Sequence, residues 1–329
     1  MAAACPQPDL VSLIRAGEVE DLRGAWLVDA DLTGVDLTGA DLSGADLSRA
    51  KLAGATLMLA DLSEATLFEA DLSGVEATGA CFRKAHLSHC KAPEAGFGRA
   101  DFTGAELVGA SFEGASFTQA TLDDVDARTA DFSKARLTEA SVQGSDFTRA
   151  RLCETDLQDA RVDGAFFQRA DLRGASFRGV RGYPTANWVG ADLRDADFCG
   201  AYLLRREAID QNFLWEFRRH SRTNAMLYMA WKATSDCGRS VARWATLTGF
   251  IALLFAGAYC FVPIDFGGDE TWLSPLYFSV VTLTTLGYGD ALPTNVLSQV
   301  VVMVEVVLGY VMLGGLLSIF ANKMASRGE

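Results

Sequence analysis

Histidine is almost missing from this chain, with three in 329 residues. Few groups are left to move protons near neutral pH, no catalytic constellation stands out, and an enzyme is not expected. The seven cysteines form no paired framework and no secretory signal precedes the first half of the chain, so that half is expected in a reducing compartment. Cys81, His86, His89 and Cys90 come near a zinc-like spacing. A five-residue period argues against zinc, because it puts Cys90 inside a coil and Cys81 and His86 on successive sides of it. No resident metal or cofactor is expected. Charge is missing from Trp244 to Val262, and lysine and arginine are missing from Pro263 to Asn295.

What is present first is a repeat. From Leu22 to Phe177 an apolar residue recurs every five positions, usually two places after an alanine, as in Ala30-Asp31-Leu32 and Ala170-Asp171-Leu172. The thirty centres from 32 to 177 are sixteen Leu, nine Phe, three Ala and two Val, so none is polar. Neither a helical nor a strand period fits. The pattern resembles the pentapeptide-repeat family. That resemblance implies a right-handed quadrilateral β-helix, a solenoid with one pentapeptide per side and the centres inside. At twenty residues per coil and roughly 4.8 Å between stacked strands, Leu22 to Leu203 makes about nine coils, on the order of 40 Å long.

Interior residues twenty apart should then touch. Each alanine centre, Ala77, Ala92 and Ala127, is followed twenty positions later by Phe97, Phe112 and Phe147, large beside small as a filled core requires. The phase slips after Phe177 and resumes at Leu193, so Arg178 to Gly190, with its turn-like Arg181-Gly182-Tyr183-Pro184, is expected to bulge as a loop. Residues 1–20 are expected to hold a cap helix, Pro8 to Ala16, and residues 21–203 the solenoid.

The net charge of −13 falls entirely on residues 1–203, which carry 32 acidic and 19 basic side chains against ten of each in 204–329. An acidic rod does not suit nucleic acid as a direct ligand. Some pentapeptide proteins imitate DNA and bind gyrase, and a membrane-anchored binding or scaffold module of that type is one alternative. The cytoplasmic ligand or protein partner of the solenoid is not legible. Residues 204–243 interleave eight basic side chains with four acids and with Phe213, Trp215, Met226 and Trp231. That mixture suits a helical linker on anionic inner-leaflet lipid, with Trp231, Arg243 and Trp244 as interfacial anchors, a helical segment packed beside the membrane domain at its cytoplasmic mouth, or a plain inter-domain helix pair.

The second signal is Thr284-Thr285-Leu286-Gly287-Tyr288-Gly289-Asp290, set between two apolar segments and just after an amphipathic run, Ser274 to Leu283. It resembles the filter of the potassium channel superfamily, usually Thr-Val-Gly-Tyr-Gly followed by Asp. The resemblance implies a homotetramer in which the carbonyls of Thr285, Leu286, Gly287 and Tyr288 and the Thr285 hydroxyl hold K+, the permeant ion, in place of its water. Gly287 and Gly289 permit the positive φ that aims successive carbonyls one way. Thr284, Asp290, Tyr277 and Phe278 are the expected filter support, the two rings bracing Tyr288. Leu286 departs from the usual valine or isoleucine, which leaves a weakly selective cation channel as an alternative. Val281 stands where some members carry a glutamate, so no carboxylate strut is expected there.

The flanks read as an all-α pore domain, residues 244–329, of the two-transmembrane type with a re-entrant pore helix. Trp244 to Val262 is the outer helix and Val296 to Ala321 the inner one. Asp265, Asp269, Glu270 and Asp290 lie between the spans, and Arg239, Arg243, Lys323 and Arg327 just outside them, so both termini are expected in the cytoplasm of a multi-pass plasma or inner membrane protein. Gly309, twenty positions after Gly289, is by resemblance the gating hinge, with Gly314 and Gly315 as rivals and close helix packing as the other role. Glu305 is either a carboxylate tuning permeation or gating from the cavity, or a protonated or hydrogen-bonded strut behind the pore helix, with Ser279, Thr282 and Thr284 in reach. No arginine-rich voltage-sensing helix or nucleotide-binding module is recognisable, so gating by membrane potential alone is not expected.

Overall fold

The computed structural model describes residues 8–18, 21–268 and 270–325. It divides into two compact units, Met1–Trp215 and Glu216–Glu329.

In the first unit, parallel bridges join each residue before a centre to its equivalent twenty places on, from Asp21 with Asp41 to Arg161 with Arg181. The result is the four-sided right-handed β-helix. Each side is a short ladder: Leu32 N–H donates to the Lys51 carbonyl at 2.8 Å, and Lys51 N–H donates to the Ala30 carbonyl at 2.8 Å. A tight turn follows, closed by Val35 N–H on the Leu32 carbonyl at 3.2 Å. The second residue after a centre sits at that turn in the left-handed region, whether it is Gly34 at φ 65° or Leu59 at φ 57°.

The core is the column of centres. Phe82 stacks on Phe102 with centroids 4.6 Å apart, Phe97 on Phe117 at 5.0 Å, and Phe112 on Phe132 at 5.0 Å, each pair one coil apart in sequence. Ala77, Ala92 and Ala127 are fully buried in the same column. Outside, the side chains answer one another in the same register. Asp31, Lys51, Asp71 and Lys91 stand on successive rungs of one side, Arg49 pairs with Asp29 at 2.7 Å, and Arg151 with Asp131 at 3.2 Å. Asp41, Asp61 and Asp71 each accept from the N–H two residues on, at 2.9 to 3.1 Å, pinning the start of the turn.

The expected loop from Arg178 to Gly190 is not formed. Bridges continue from Arg161 with Arg181 to Phe166 with Asn187, so one residue is added at a single corner, Gly182–Thr185. Trp188 occupies the next centre, fully buried and stacked on Phe167 at 4.6 Å, with its indole N–H on the Tyr183 carbonyl at 3.1 Å. A tryptophan is outside the Leu, Phe, Ala and Val alphabet of the other centres, which hid the continuing period.

Helices close both ends. α1 (Pro8–Arg15) packs Leu10, Val11 and Ile14 on the core, and Arg15 donates to the Asp31 carbonyl at 3.0 Å. Residues 1–7, 19 and 20 of the expected cap segment lie outside the described residues. α2 (Tyr202–His220) lays Leu204 and Ala208 on the other end of the core. Its amides cap the last rungs: Trp188 N–H donates to Gln211 Oε1 at 2.8 Å, Gly190 N–H to Asn212 Oδ1 at 2.7 Å, and Gln211 Nε2 to the Ala186 carbonyl at 2.9 Å. An open ladder end presents unpaired donors and acceptors, and these side chains satisfy them.

The second unit is helical. α3 (Arg222–Ser235) starts on Ser221, whose hydroxyl accepts from Asn224 N–H at 3.0 Å, and ends on left-handed Asp236. α4 (Val241–Tyr259) begins three residues before the expected outer helix because Ser240 caps it. Then come β1 (Ile264–Asp265), α5 (Ser274–Leu283), β2 (Leu292–Pro293) and α6 (Val296–Ala325), with β1 and β2 antiparallel. α4 and the first 26 residues of α6 are long and apolar enough to cross a membrane, and only 11 % and 17 % of their apolar windows are buried within the chain. Helices of that exposure are not the core of a soluble fold, and they call for lipid or neighbouring chains around them.

Candidate functional site: the loop after α5

α5 is built to stop halfway. Ser274-Pro275 opens it, proline being tolerated in the first turn, and Ser274 Oγ accepts from Thr271 N–H at 2.8 Å. At the other end Thr284 turns its hydroxyl onto the Val280 carbonyl at 2.7 Å, and Leu286 N–H donates to the Val281 carbonyl at 3.0 Å. The chain then leaves the helix through Thr285 at φ 59°, Gly287 at φ 50° and Gly289 at φ 78°. A Cβ on either glycine would meet nothing within 4 Å, so conformation and not space demands glycine in the chain itself.

The loop has a firm base and a free face. Val281, Thr282, Leu283 and Ala291 are buried around it, whereas Leu286 is 58 % and Tyr288 67 % exposed. Asp290 is held by the Tyr277 hydroxyl at 2.7 Å. Behind it, β1 pairs Ile264 with Pro293, and Thr294 donates its hydroxyl to the Pro263 carbonyl at 3.0 Å, tying the chain beyond the loop to the end of α4. The two rings expected to brace Tyr288 have other partners within the chain. Tyr277 is committed to Asp290, and Phe278 packs edge-on against Tyr259 at 5.0 Å and Phe266 at 6.0 Å.

Glu305 is fully buried, so it does not line an open surface of the chain as a cavity carboxylate would. Ser279, an expected partner, bonds its carboxyl, and so does Tyr259, which sequence reasoning missed. No spacing rule joins residues 259 and 305; only the packing of α4 on α6 does. Thr284 spends its hydroxyl on its own helix.

Gly309 is a point of close approach, where an added Cβ would overlap the Leu283 carbonyl at the end of α5. α6 runs through it without a break. At Gly315 a Cβ would overlap the Trp244 ring, whose indole N–H donates to the Met312 carbonyl at 2.8 Å. Trp244 therefore packs its ring and its indole N–H within its own unit. Arg243 likewise faces Asp236 at 3.6 Å and the Lys232 carbonyl at 3.3 Å. Asp269 and Arg327 lie outside the described residues.

In the solenoid, His86 Nδ1 lies 2.9 Å from Glu106, His89 meets the Phe68 ring, and burial pushes the Cys90 thiol up out of its ordinary range. Among the described residues no group of three His, Cys, Asp or Glu side chains is placed to hold a metal ion.

These two architectures define a repeat solenoid joined to a helical pore unit. Comparison with known families agrees: the pentapeptide-repeat model matches eight times between residues 21 and 181, and an ion channel model matches residues 245–326. The chain joins a pentapeptide-repeat domain to an ion channel domain, and is so a membrane protein.

Over 85 residues it is 36 % identical to two-pore potassium channel 1 of Arabidopsis thaliana, an alignment covering 24 % of this chain and 23 % of that protein. The chain thus spans about a quarter of the length of this curated relative. Among solved structures it is similar to HetL, a pentapeptide-repeat protein of the cyanobacterium Nostoc sp. strain PCC 7120, at 26 % identity over 59 % of this chain and 95 % of that one, with a TM-score of 0.32. A pentapeptide-repeat protein of the Arabidopsis thaliana thylakoid lumen is 32 % identical over 31 % of this chain and 68 % of its own, with a TM-score of 0.25.

Proposed function

We propose that four copies of this chain assemble around the Thr285–Gly289 loop as a potassium-selective channel, with the solenoid as a cytoplasmic regulatory or assembly domain. The observation that carries this is the loop itself: Gly287 and Gly289 both at positive φ, at the C-terminal end of a short helix set between two apolar helices. Carbonyls turned inward from four chains replace a cation's hydration, and the negative ends of four α5 dipoles favour the cation below them. The exposed face of the loop is the one such an assembly buries. Asp265, Glu270 and Asp290, with no lysine or arginine from Pro263 to Asn295, give the outer mouth a cation-attracting field. Both termini then lie in the cytoplasm. α3, with Met226, Leu227 and Met229 exposed and Arg222 and Lys232 as its only charges, lies against anionic inner-leaflet lipid.

The test is reconstitution of the full chain in proteoliposomes with mixed K+ and Na+. The reversal potential is expected to follow K+, and Gly287→Ala is expected to abolish the flux while the far-ultraviolet signature of the β-helix stays unchanged. Undiminished current in that variant sinks the filter assignment. A weakly selective cation pore is the second reading, favoured by Leu286, whose γ-branched side chain stands where valine or isoleucine is usual. Equal K+ and Na+ permeability would select it.

A further inference from the structure

Tyr259 on α4, Ser279 on α5 and Glu305 on α6 meet at one point inside the pore unit. The Ser279 hydroxyl bonds Glu305 Oε1 and the Tyr259 hydroxyl bonds Oε2. Ser279 Oγ also lies 2.9 Å from the carbonyl oxygen of Ala252, on α4. A carbonyl oxygen can only accept, and a serine hydroxyl has one hydrogen. If Ser279 gives that hydrogen to Ala252, its bond to Glu305 needs a hydrogen from the carboxyl. Tyr259 supplies the hydrogen for the other carboxyl oxygen. Every contact in the cluster is satisfied when Glu305 carries a proton on Oε1, and one is left without a hydrogen when it does not.

The surroundings agree. α5 contains no Asp, Glu, Lys, Arg or His. On α4 the only such residue is Arg243, in the first turn and already on Asp236, whereas Tyr259 ends the helix. On α6 the only other one is Lys323, in the last turns. Of the groups on neighbouring segments, Asp290 is held by Tyr277, and Asp265 accepts from Gly267 N–H at 3.0 Å. Both are acidic and would oppose a second negative charge. A carboxylate at Glu305 would be fully buried with no counter-cation among the described residues, the arrangement proteins avoid.

We infer that Glu305 is a neutral carboxylic acid and a positioning residue for the filter, acting through hydrogen bonds and not through charge. It links α5 to both membrane-spanning helices, and Ser279 stands six residues before Thr285, so the link fixes the helix end from which the filter loop starts. Its role in permeation rests on the channel proposed above.

The test uses the full chain in proteoliposomes. Glu305→Gln keeps shape and bonding, its amide N–H donating to Ser279 and its carbonyl accepting from Tyr259. It is expected to hold the K+ to Na+ permeability ratio within about twofold of the parent, whereas Glu305→Leu, which strands the Tyr259 hydroxyl, lowers it roughly tenfold. Tyr259→Phe lowers it too, and carries the comparison should the leucine variant fail to assemble. Parent and Glu305→Gln currents are expected to share one pH profile between about pH 5 and pH 8. Infrared spectra should show a buried carboxylic-acid C=O band in the parent that Glu305→Gln lacks, a readout independent of flux. A glutamine variant as impaired as the leucine variant, a titration present only in the parent, or a missing acid band would each overturn the inference. A parent that passes no K+ overturns the channel proposal instead, and the infrared band still decides the protonation.

Discussion

Individual residues in the pore unit are constrained by what a single methyl group would meet. Gly309 has no room for a Cβ beneath the Leu283 carbonyl, while Gly314, five residues on, has open space. Gly309→Ala is therefore expected to push α6 away from the end of α5, at about 1–3 kcal/mol for an overpacked contact. Gly314→Ala should fall within about 0.5 kcal/mol of the parent. Thermal unfolding of the detergent-solubilised protein compares the two, and equal midpoints would show that the close approach is not a packing contact. Both glycines are visible in the sequence as inner-helix glycines. Which of them touches α5 is decided by the rotation of α6, and no period in a uniformly apolar helix reports that. Tyr259 was illegible for the same reason, since its partner lies forty-six positions away on a different helix.

At the scale of elements, the solenoid is a stack whose interior and N-terminal cap helix were readable and whose C-terminal cap was not. Each centre touches its equivalents one coil up and down, so removing one ring leaves a hole that neighbours on a ladder cannot close. Phe102, fully buried and stacked on Phe82, is the case to test: Phe102→Ala is expected to cost about 3–5 kcal/mol, read from chemical denaturation followed by circular dichroism. At the C-terminal end, Gln211→Ala combined with Asn212→Ala removes the acceptors for the Trp188 and Gly190 amides. Faster hydrogen exchange at those two amides is expected, with a loss of about 1–3 kcal/mol per stranded donor. Exchange unchanged from the parent would mean that α2 does not cap the ladder. Nothing in the pattern of α2 announced this role, because Gln and Asn on a helix ordinarily face water. Their function appears only when the last rung is seen to lack a neighbour. The slip at Gly182–Thr185 is a related case, where one added residue looked like a thirteen-residue loop until Trp188 was found in the core column.

Over the whole chain, charge is divided by unit, and the solenoid's acids are placed to be ionised. The Arg23 side chain, bonded to Asp21, holds that carboxyl down at about 2, and Arg128 and Arg194 lower Asp126 and Asp192 in the same way. A carboxylate whose folded value is depressed stabilises the fold above its unfolded value, near 3.8 here, and that stability is lost as pH falls through the folded value. The β-helix signal is thus expected to be flat from neutral pH to about pH 4 and to weaken from there toward about pH 2. Loss of the signal well above pH 4 would mean that these ion pairs do not govern acid stability.

The sequence by itself determined the two architectures, because both are written in local spacing. The five-residue period resembles that of pentapeptide-repeat proteins, and the Gly-Tyr-Gly loop between two apolar helices resembles a channel filter; those resemblances implied the two architectures. Tertiary structure alone decided which groups meet across those elements. Tyr259 on Glu305, Trp244 on Gly315, and Gln211 and Asn212 on the last rung are contacts between segments far apart in the chain. Such contacts depend on helix rotation and packing distance, and a hydrophobic pattern that is apolar on every side of a helix leaves the rotation open.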